Sequence, residues 1–196
     1  MSYKFLDRFT VDTIMPEITT LALEAGEIAM DYYARDIDVI TKADASPVTL
    51  ADRAVERYIR QGIAELDYKA PFVGEETIAA EGYPDISQHE TFWLVDPIDG
   101  TKEFIKKNGE FTINIALVNR NGHSLGVVYA PAIKELYSGN GHGEAYFSQD
   151  GRNFKRISVR PAPKDGLTVM VSRSHGDPGR REAFLKNAGL TVAETR

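Results

Sequence analysis

The stretch Trp93-Leu94-Val95-Asp96-Pro97-Ile98-Asp99-Gly100-Thr101 decides how the chain is read. An apolar run, short enough for a buried strand, ends in two carboxylates three residues apart, with a proline between them and a Gly-Thr pair behind. Such a strand end keeps Asp96 and Asp99 close and leaves turn amides free, which suits hard cations and a phosphate. An ordinary Asp-Pro and Asp-Gly turn carries the same signature. Both readings stand until the flanking segments are weighed.

A length of 196 residues allows one large domain, or one domain and part of another. The 42% hydrophobic content supports a core, and 27% charged residues is ordinary for a globular protein. A net charge of -6 argues against nucleic acid as a partner, because that footprint is a basic stripe. It does not bar a phosphorylated small molecule whose contact is mediated by metal ions. The absence of cysteine removes disulfides, thiolate catalysis and cysteine zinc sites, and is compatible with a cytoplasmic location. The first residues, Met1 to Arg8, lack the apolar core of a signal peptide. No apolar run approaches the roughly 20 residues of a transmembrane segment, so a soluble chain is expected.

Apolar residues at Ile14, Ile18, Leu21, Ala25, Ile28 and Tyr32 recur in steps of three and four, predicting a helix from about Asp12 to Tyr33 with Pro16 in its first turn. Ser46-Pro47 then reads as an N-cap and first-turn pair. The helix it opens would bury Val48, Ala51, Val55 and Tyr58, with Asp52 about one turn in. Pro71 to Gly74 is a second short apolar run ending in acids, Glu75 and Glu76, and Thr77 to Glu90 reads as a loop. Lys102 to Asn108 is compatible with a short helix or a loop. From Phe111 to Val159 the texture is an antiparallel meander, with Asn121-Gly122 as its hairpin signal. The class is therefore α+β. Arg160-Pro161-Ala162-Pro163 marks the boundary between a domain over 1–160, with two helices and an antiparallel sheet, and the start of an α/β domain over 161–196. The latter segment is too small to bury a core of its own.

Four acidic positions stand out: Asp52, Glu75, Asp96 and Asp99. Taken singly, Asp52 is a favourable first-turn acid and the glutamate pair is solvated charge. If the four converge, oxygen-only ligation points to Mg²⁺ rather than zinc. Two such ions would clamp a phosphate ester and prepare a water for in-line attack. Gly100-Thr101 would hold the phosphate by backbone amides and a hydroxyl. Paired carboxylates also serve glycosidases, which do not need the Asp-Gly-Thr turn.

At these residues the chain resembles the lithium-sensitive, Mg²⁺-dependent phosphatases of the inositol monophosphatase superfamily. Gly74-Glu75-Glu76 and the stretch from Trp93 to Thr101 match both front signatures of that family. Lys42 to Asp52, Gly100 to Thr112 and Val171-Ser172-Arg173-Ser174-His175 are more narrowly similar to bacterial 3'(2'),5'-bisphosphate nucleotidases. The resemblance implies a layered α-β-α-β-α sugar-phosphatase fold and hydrolysis of adenosine 3',5'-bisphosphate to AMP and phosphate, a clearance step of sulfate assimilation. An inositol or sugar-phosphate phosphatase, and a catalytically silent metal- or phosphate-binding protein, are the alternatives.

Carried over position by position, the resemblance implies that Glu75, Asp96 and the Ile98 carbonyl bind one metal ion. Asp96 and Asp99 would share a second, and Glu75 would hold a third more weakly. Asp52 and Thr101 would activate the water, and Asp99, Gly100 and Thr101 would cradle the phosphate. Glu75 is favoured over Glu76 as the ligand. Lys42, Ser172, Arg173 and His175 are implied as substrate contacts, although His175 equally reads as a loop residue capping the next helix. The family includes monomers and homodimers. Relatives placed on the cytoplasmic face of the inner membrane make peripheral association an option that no basic amphipathic helix here supports.

One departure from the family is visible. Its Trp-Asp-x-Ala-Ala-Gly type segment, whose Asp completes the second metal site, is missing, and Trp93 is the only tryptophan. The expectation is a C-terminally truncated chain with an incomplete second half, a poor second metal site, little activity and exposed apolar surface.

Overall fold

The computed structural model describes residues 7–35, 39–41, 47–119, 122–171 and 177–195. They form two compact units, one up to Ile157 and one from Ser158. In the first, helix α1 (Arg8–Tyr33) leads into a small antiparallel pair, β1 (Val39–Thr41) and β2 (Pro47–Thr49), and then α2 (Leu50–Glu65). β3 (Phe72–Gly74), α3 (Glu75–Glu81), β4 (Thr91–Asp99) and α4 (Thr101–Ile105) follow. β5 (Thr112–Asn119), β6 (Gly122–Ala130), β7 (Glu135–Asn140), β8 (Ala145–Ser148) and β9 (Lys155–Ile157) complete the main sheet. Its seven strands run in sequence order from β3 to β9. β3 lies parallel to β4 and every later pairing is antiparallel. The sheet is therefore mixed rather than purely antiparallel, and four helices accompany it where two were expected.

Several local expectations are corrected. α1 starts at Arg8, because the Asp7 carboxylate accepts from the Thr10 amide and hydroxyl, at 2.9 and 2.6 Å. Pro16 consequently sits inside the helix, on its exposed side, where the carbonyl it leaves unbonded can face water. Pro47 to Thr49 form a strand, not a first helical turn, since β-branched Val48 and Thr49 pair across to Ile40 and Val39. Ser46 lies outside the described residues. α2 thus opens at Leu50 and has Asp52 in its first turn. Thr77 to Glu81 belong to α3 rather than to a loop. The hairpin between β5 and β6 closes on the pair Asn119 and Gly122, and Asn121 lies outside the described residues.

α1 packs on β5 and β6, α2 packs on β4, and the two helices pack on each other. Burial alternates residue by residue along β5, so Ile113, Ile115 and Leu117 face the helices with Trp93, Val95, Leu125 and Val127. At one end of this core, fully buried Phe104 of α4 stacks edge-on against Phe111, with centroids 4.7 Å apart, and against Tyr33 at 5.2 Å. This aromatic group ties the turn after β4 to the end of α1. Among the described residues no helix is long and apolar enough to cross a membrane.

The second unit holds β10 (Leu167–Val169), α5 (Pro178–Asn187) and β11 (Val192–Thr195), with the two strands parallel. Asp177 caps α5 by accepting from the Gly179 and Arg180 amides. None of its described residues is buried, in line with its small size.

Because α4 is a single short helix, its place depends on Phe104. Phe104→Ala should cost about 3–5 kcal/mol, the range for emptying a buried aromatic site. Urea unfolding followed by the fluorescence of Trp93, the sole tryptophan, measures it. A loss under about 1 kcal/mol, typical of surface changes, would show that the ring does not anchor the turn.

Candidate active site

Residues three apart on a regular strand point to opposite faces, so Asp96 and Asp99 should diverge. They do not. Asp96 pairs with Asn114 and Asp99 pairs with Thr112, with a register shift between them. Two residues of β4, Pro97 and Ile98, thus oppose the single residue Ile113 of β5, which is a β-bulge. Proline has no N–H to give to the ladder, so a bulge is where it fits inside a sheet. The extra residue corrects the parity. Both aspartates come to the face of Asn114 and Thr112, while Pro97 and Ile98 are buried.

β3 ends beside them. The parallel register sets Gly74 against Val95, so the chain leaves the sheet at Glu75 level with Asp96. Asp52, only 4% exposed, enters from the first turn of α2. The turn after Asp99 needs glycine: Gly100 has φ +97°, and a Cβ there would lie 2.8 Å from the Glu110 carbonyl oxygen. Thr101 then opens α4 and donates its hydroxyl to the Ile98 carbonyl at 3.2 Å.

Asp96 is where these charges meet. Burial pushes its carboxyl up from 3.8 to about 7, and the negative charges of Asp99, Glu75 and Asp52 push in the same direction, against a hydrogen bond from the Ile98 backbone. Its Oδ1 is buried and accepts no hydrogen bond among the described residues. A buried carboxylate oxygen without a donor, crowded by three other acids, matches the need of a divalent cation for hard oxygen ligands. The donor set fits magnesium. Among the described residues no three acidic or histidine side chains already form a closed ligand cage.

The two glutamates separate. The charge of Glu75 is one of those that raise the Asp96 carboxyl, whereas Glu76 lies 3.5 Å from the Arg53 guanidinium and is mostly sheltered. Lys42, Ser172, Arg173 and His175 lie outside the described residues. Two contributors were not read from the sequence. The Asn114 amide donates to Asp99 at 3.3 Å and its own carbonyl accepts from Thr112 at 3.1 Å, which steadies the outer aspartate. Glu56 is the other, and its signal was available: it follows Asp52 by one helical turn.

A model of the inositol monophosphatase family matches residues 11–194. The 3'(2'),5'-bisphosphate nucleotidase CysQ of Escherichia coli strain K12 is 42% identical over 179 residues, which make up 90% of this chain and 70% of that protein. The crystal structure of CysQ from Bacteroides thetaiotaomicron, described as a bacterial member of the inositol monophosphatase family, superposes with a TM-score of 0.73 at 32% identity, over 96% of this chain and 73% of that one. The extragenic suppressor protein suhB of Bartonella henselae superposes with a TM-score of 0.70 at 25% identity, over 94% of this chain and 69% of that one.

The raised Asp96 carboxyl sets a pH dependence. Folding lifts it from 3.8 to about 7, so the folded state holds the proton more tightly than the unfolded chain. Its contribution to stability is complete below the unfolded value and is lost as pH rises through about 7. Asp96→Asn should therefore raise the melting temperature of the metal-free protein at pH 8, on the order of 2–4 °C, the size of a 1 kcal/mol change at this chain length. The gain should vanish near pH 4, and the variant should lose the stabilisation that Mg²⁺ confers on the parent. Melting curves at both pH values, in chelator and in Mg²⁺, decide it. A variant that Mg²⁺ still stabilises fully would remove Asp96 from the metal site.

Proposed function

Because the chain belongs to the inositol monophosphatase family, we propose that it is a Mg²⁺-dependent phosphomonoester hydrolase acting on a 3'(2'),5'-bisphosphate nucleotide, of which adenosine 3',5'-bisphosphate is the expected substrate. The observation that carries the site is the Asp96 carboxyl, pushed up by burial and by Asp99, Glu75 and Asp52 together. The similarity that carries the substrate is that to the nucleotidases named above.

In this reading Glu75, Asp96, Asp99 and the Ile98 carbonyl would hold the magnesium, two or three ions per site being expected. Bound magnesium supplies positive charge against the phosphate oxygens and lowers the pKa of the attacking water. The Thr101 hydroxyl spends its proton on the Ile98 carbonyl, so its lone pairs remain to accept from a water. Asp52, buried on α2, is the base that takes the proton. The water oxygen adds to phosphorus, the P–O bond to the ribose breaks, and the leaving oxygen takes a proton from solvent while Asp52 gives its own back, leaving AMP and inorganic phosphate. Asp99, Gly100 and Thr101 border the phosphate, and Asn114 keeps Asp99 turned toward it.

A ligand panel tests the assignment on the whole chain. Calorimetry in Mg²⁺, with phosphate release read in parallel, should rank adenosine 3',5'-bisphosphate above inositol 1-phosphate by about tenfold or more, equivalent to about 1.4 kcal/mol. Equal or tighter binding of inositol 1-phosphate would move the chain to the inositol phosphatases. Binding of either ligand with no need of metal would defeat the metal-dependent reading altogether.

A further inference from the structure

Helix α3, which begins with Glu75, has no buried residue and only seven residues in all. Packing alone therefore does not hold it. Its N-cap is Gly74, which has no side chain to satisfy the first amides. Those amides are served from elsewhere in the fold. The Glu56 carboxylate, on α2 and only 3% exposed, accepts from the Glu76 amide at 2.7 Å, the Thr77 amide at 2.6 Å and the Thr77 hydroxyl at 2.6 Å. The lack of a side chain at Gly74 is what lets it in, since a Cβ there would stand 2.6 Å from the Glu56 carboxyl carbon.

A buried carboxylate is costly unless its oxygens are fully hydrogen-bonded. Here three short, charge-assisted bonds satisfy it, and they fall on the two residues after Glu75, while Gly74 presses against it from before. Glu75 directly precedes the two residues whose amides Glu56 holds, so the clamp fixes the backbone from which its side chain departs. Glu56 also follows Asp52 by four residues on α2, which puts both on one helix face. The same rigid helix thus delivers the buried acid Asp52 to the site and fixes the origin of Glu75.

We propose that Glu56 is a positioning residue for Glu75: by clamping the first turn of α3 it sets the aim of this carboxylate at the metal beside Asp96. The proposal rests on the reading of Glu75 as a metal ligand, and a double-mutant cycle separates the two. Calorimetric Mg²⁺ titrations would compare the parent chain with Glu56→Gln, Glu75→Gln and the double variant, with melting curves in chelator alongside. Glu56→Gln should weaken metal binding by about 10- to 100-fold, the usual cost of losing support behind a ligand. In the Glu75→Gln background it should have no further effect, because the group it aims has lost its charge. Thr77→Val, which removes one of the three donors, should shift affinity the same way by less, and it decides the matter if Glu56→Gln does not fold. Unchanged affinity in both single clamp variants, or an equal loss from Glu56→Gln with and without Glu75, would overturn the clamp. Unchanged affinity in Glu75→Gln would instead overturn the ligand reading, and the clamp with it.

Discussion

The site depends on one extra residue in a strand. Without the bulge at Pro97 and Ile98, Asp96 and Asp99 would face opposite sides of the sheet, one into the core and one outward. With it, both lie on the open face, and the apolar Pro97 and Ile98 take the buried positions between them. The proline therefore has a structural reason beyond marking a turn. It has no N–H for the ladder, and the bulge is the place in a strand where that does no harm. The neighbouring acids then arrive by simple geometry. A parallel partner strand ends level with Asp96, and a helix start brings Asp52 in from the other side.

Two of the three Asp-Gly dipeptides in this chain show how differently the same letters are used. Asp150, before Gly151, accepts from the Asn153 and Arg152 amides, the Asn153 side chain and the Ser148 hydroxyl, and these bonds hold its carboxyl well below the usual range. It is an ordinary turn acid whose charge is spent on its own loop. Among the described residues the side chain of Asp99, before Gly100, receives only the long bond from Asn114, and its charge raises the carboxyl of Asp96. The turn reading of an Asp-Gly pair holds at one place and fails at the other. What separates them is whether local amides are available to quench the charge.

Much of this was legible in the sequence, for reasons that particular residues show. The alternation of β5 and the strand-turn signature from Trp93 to Thr101 are local patterns, and local patterns survive into the fold. The start of α2 was misread because Ser46-Pro47 is an equally good opening for a helix, and the pairing of Pro47 to Thr49 with β1 is a non-local fact. α3 was missed for the same reason. Its side-chain cap comes from Glu56, some twenty residues earlier, so locally only Gly74 and the two first-turn acids mark its start. Asn114 was hidden because its role follows from the bulge, which shifts the register against which it is read.

The acids of this site divide by what satisfies them, and that division explains where stability is given up. Glu56 is buried and all its bonding is internal, so it adds order without leaving charge to spare. Asp96 is held beside three like charges with one buried oxygen lacking a donor, an arrangement that opposes folding once it ionises. A fold selected for stability alone would place an amide or an apolar side chain there. Keeping a carboxylate under those conditions makes sense when a cation completes it, because the repulsion that burdens the empty site becomes attraction for the ion that enters. The strain at Asp96 and the order imposed by Glu56 are then complementary. One creates the demand for positive charge, and the other fixes the backbone beside Glu75, the residue proposed to help meet it.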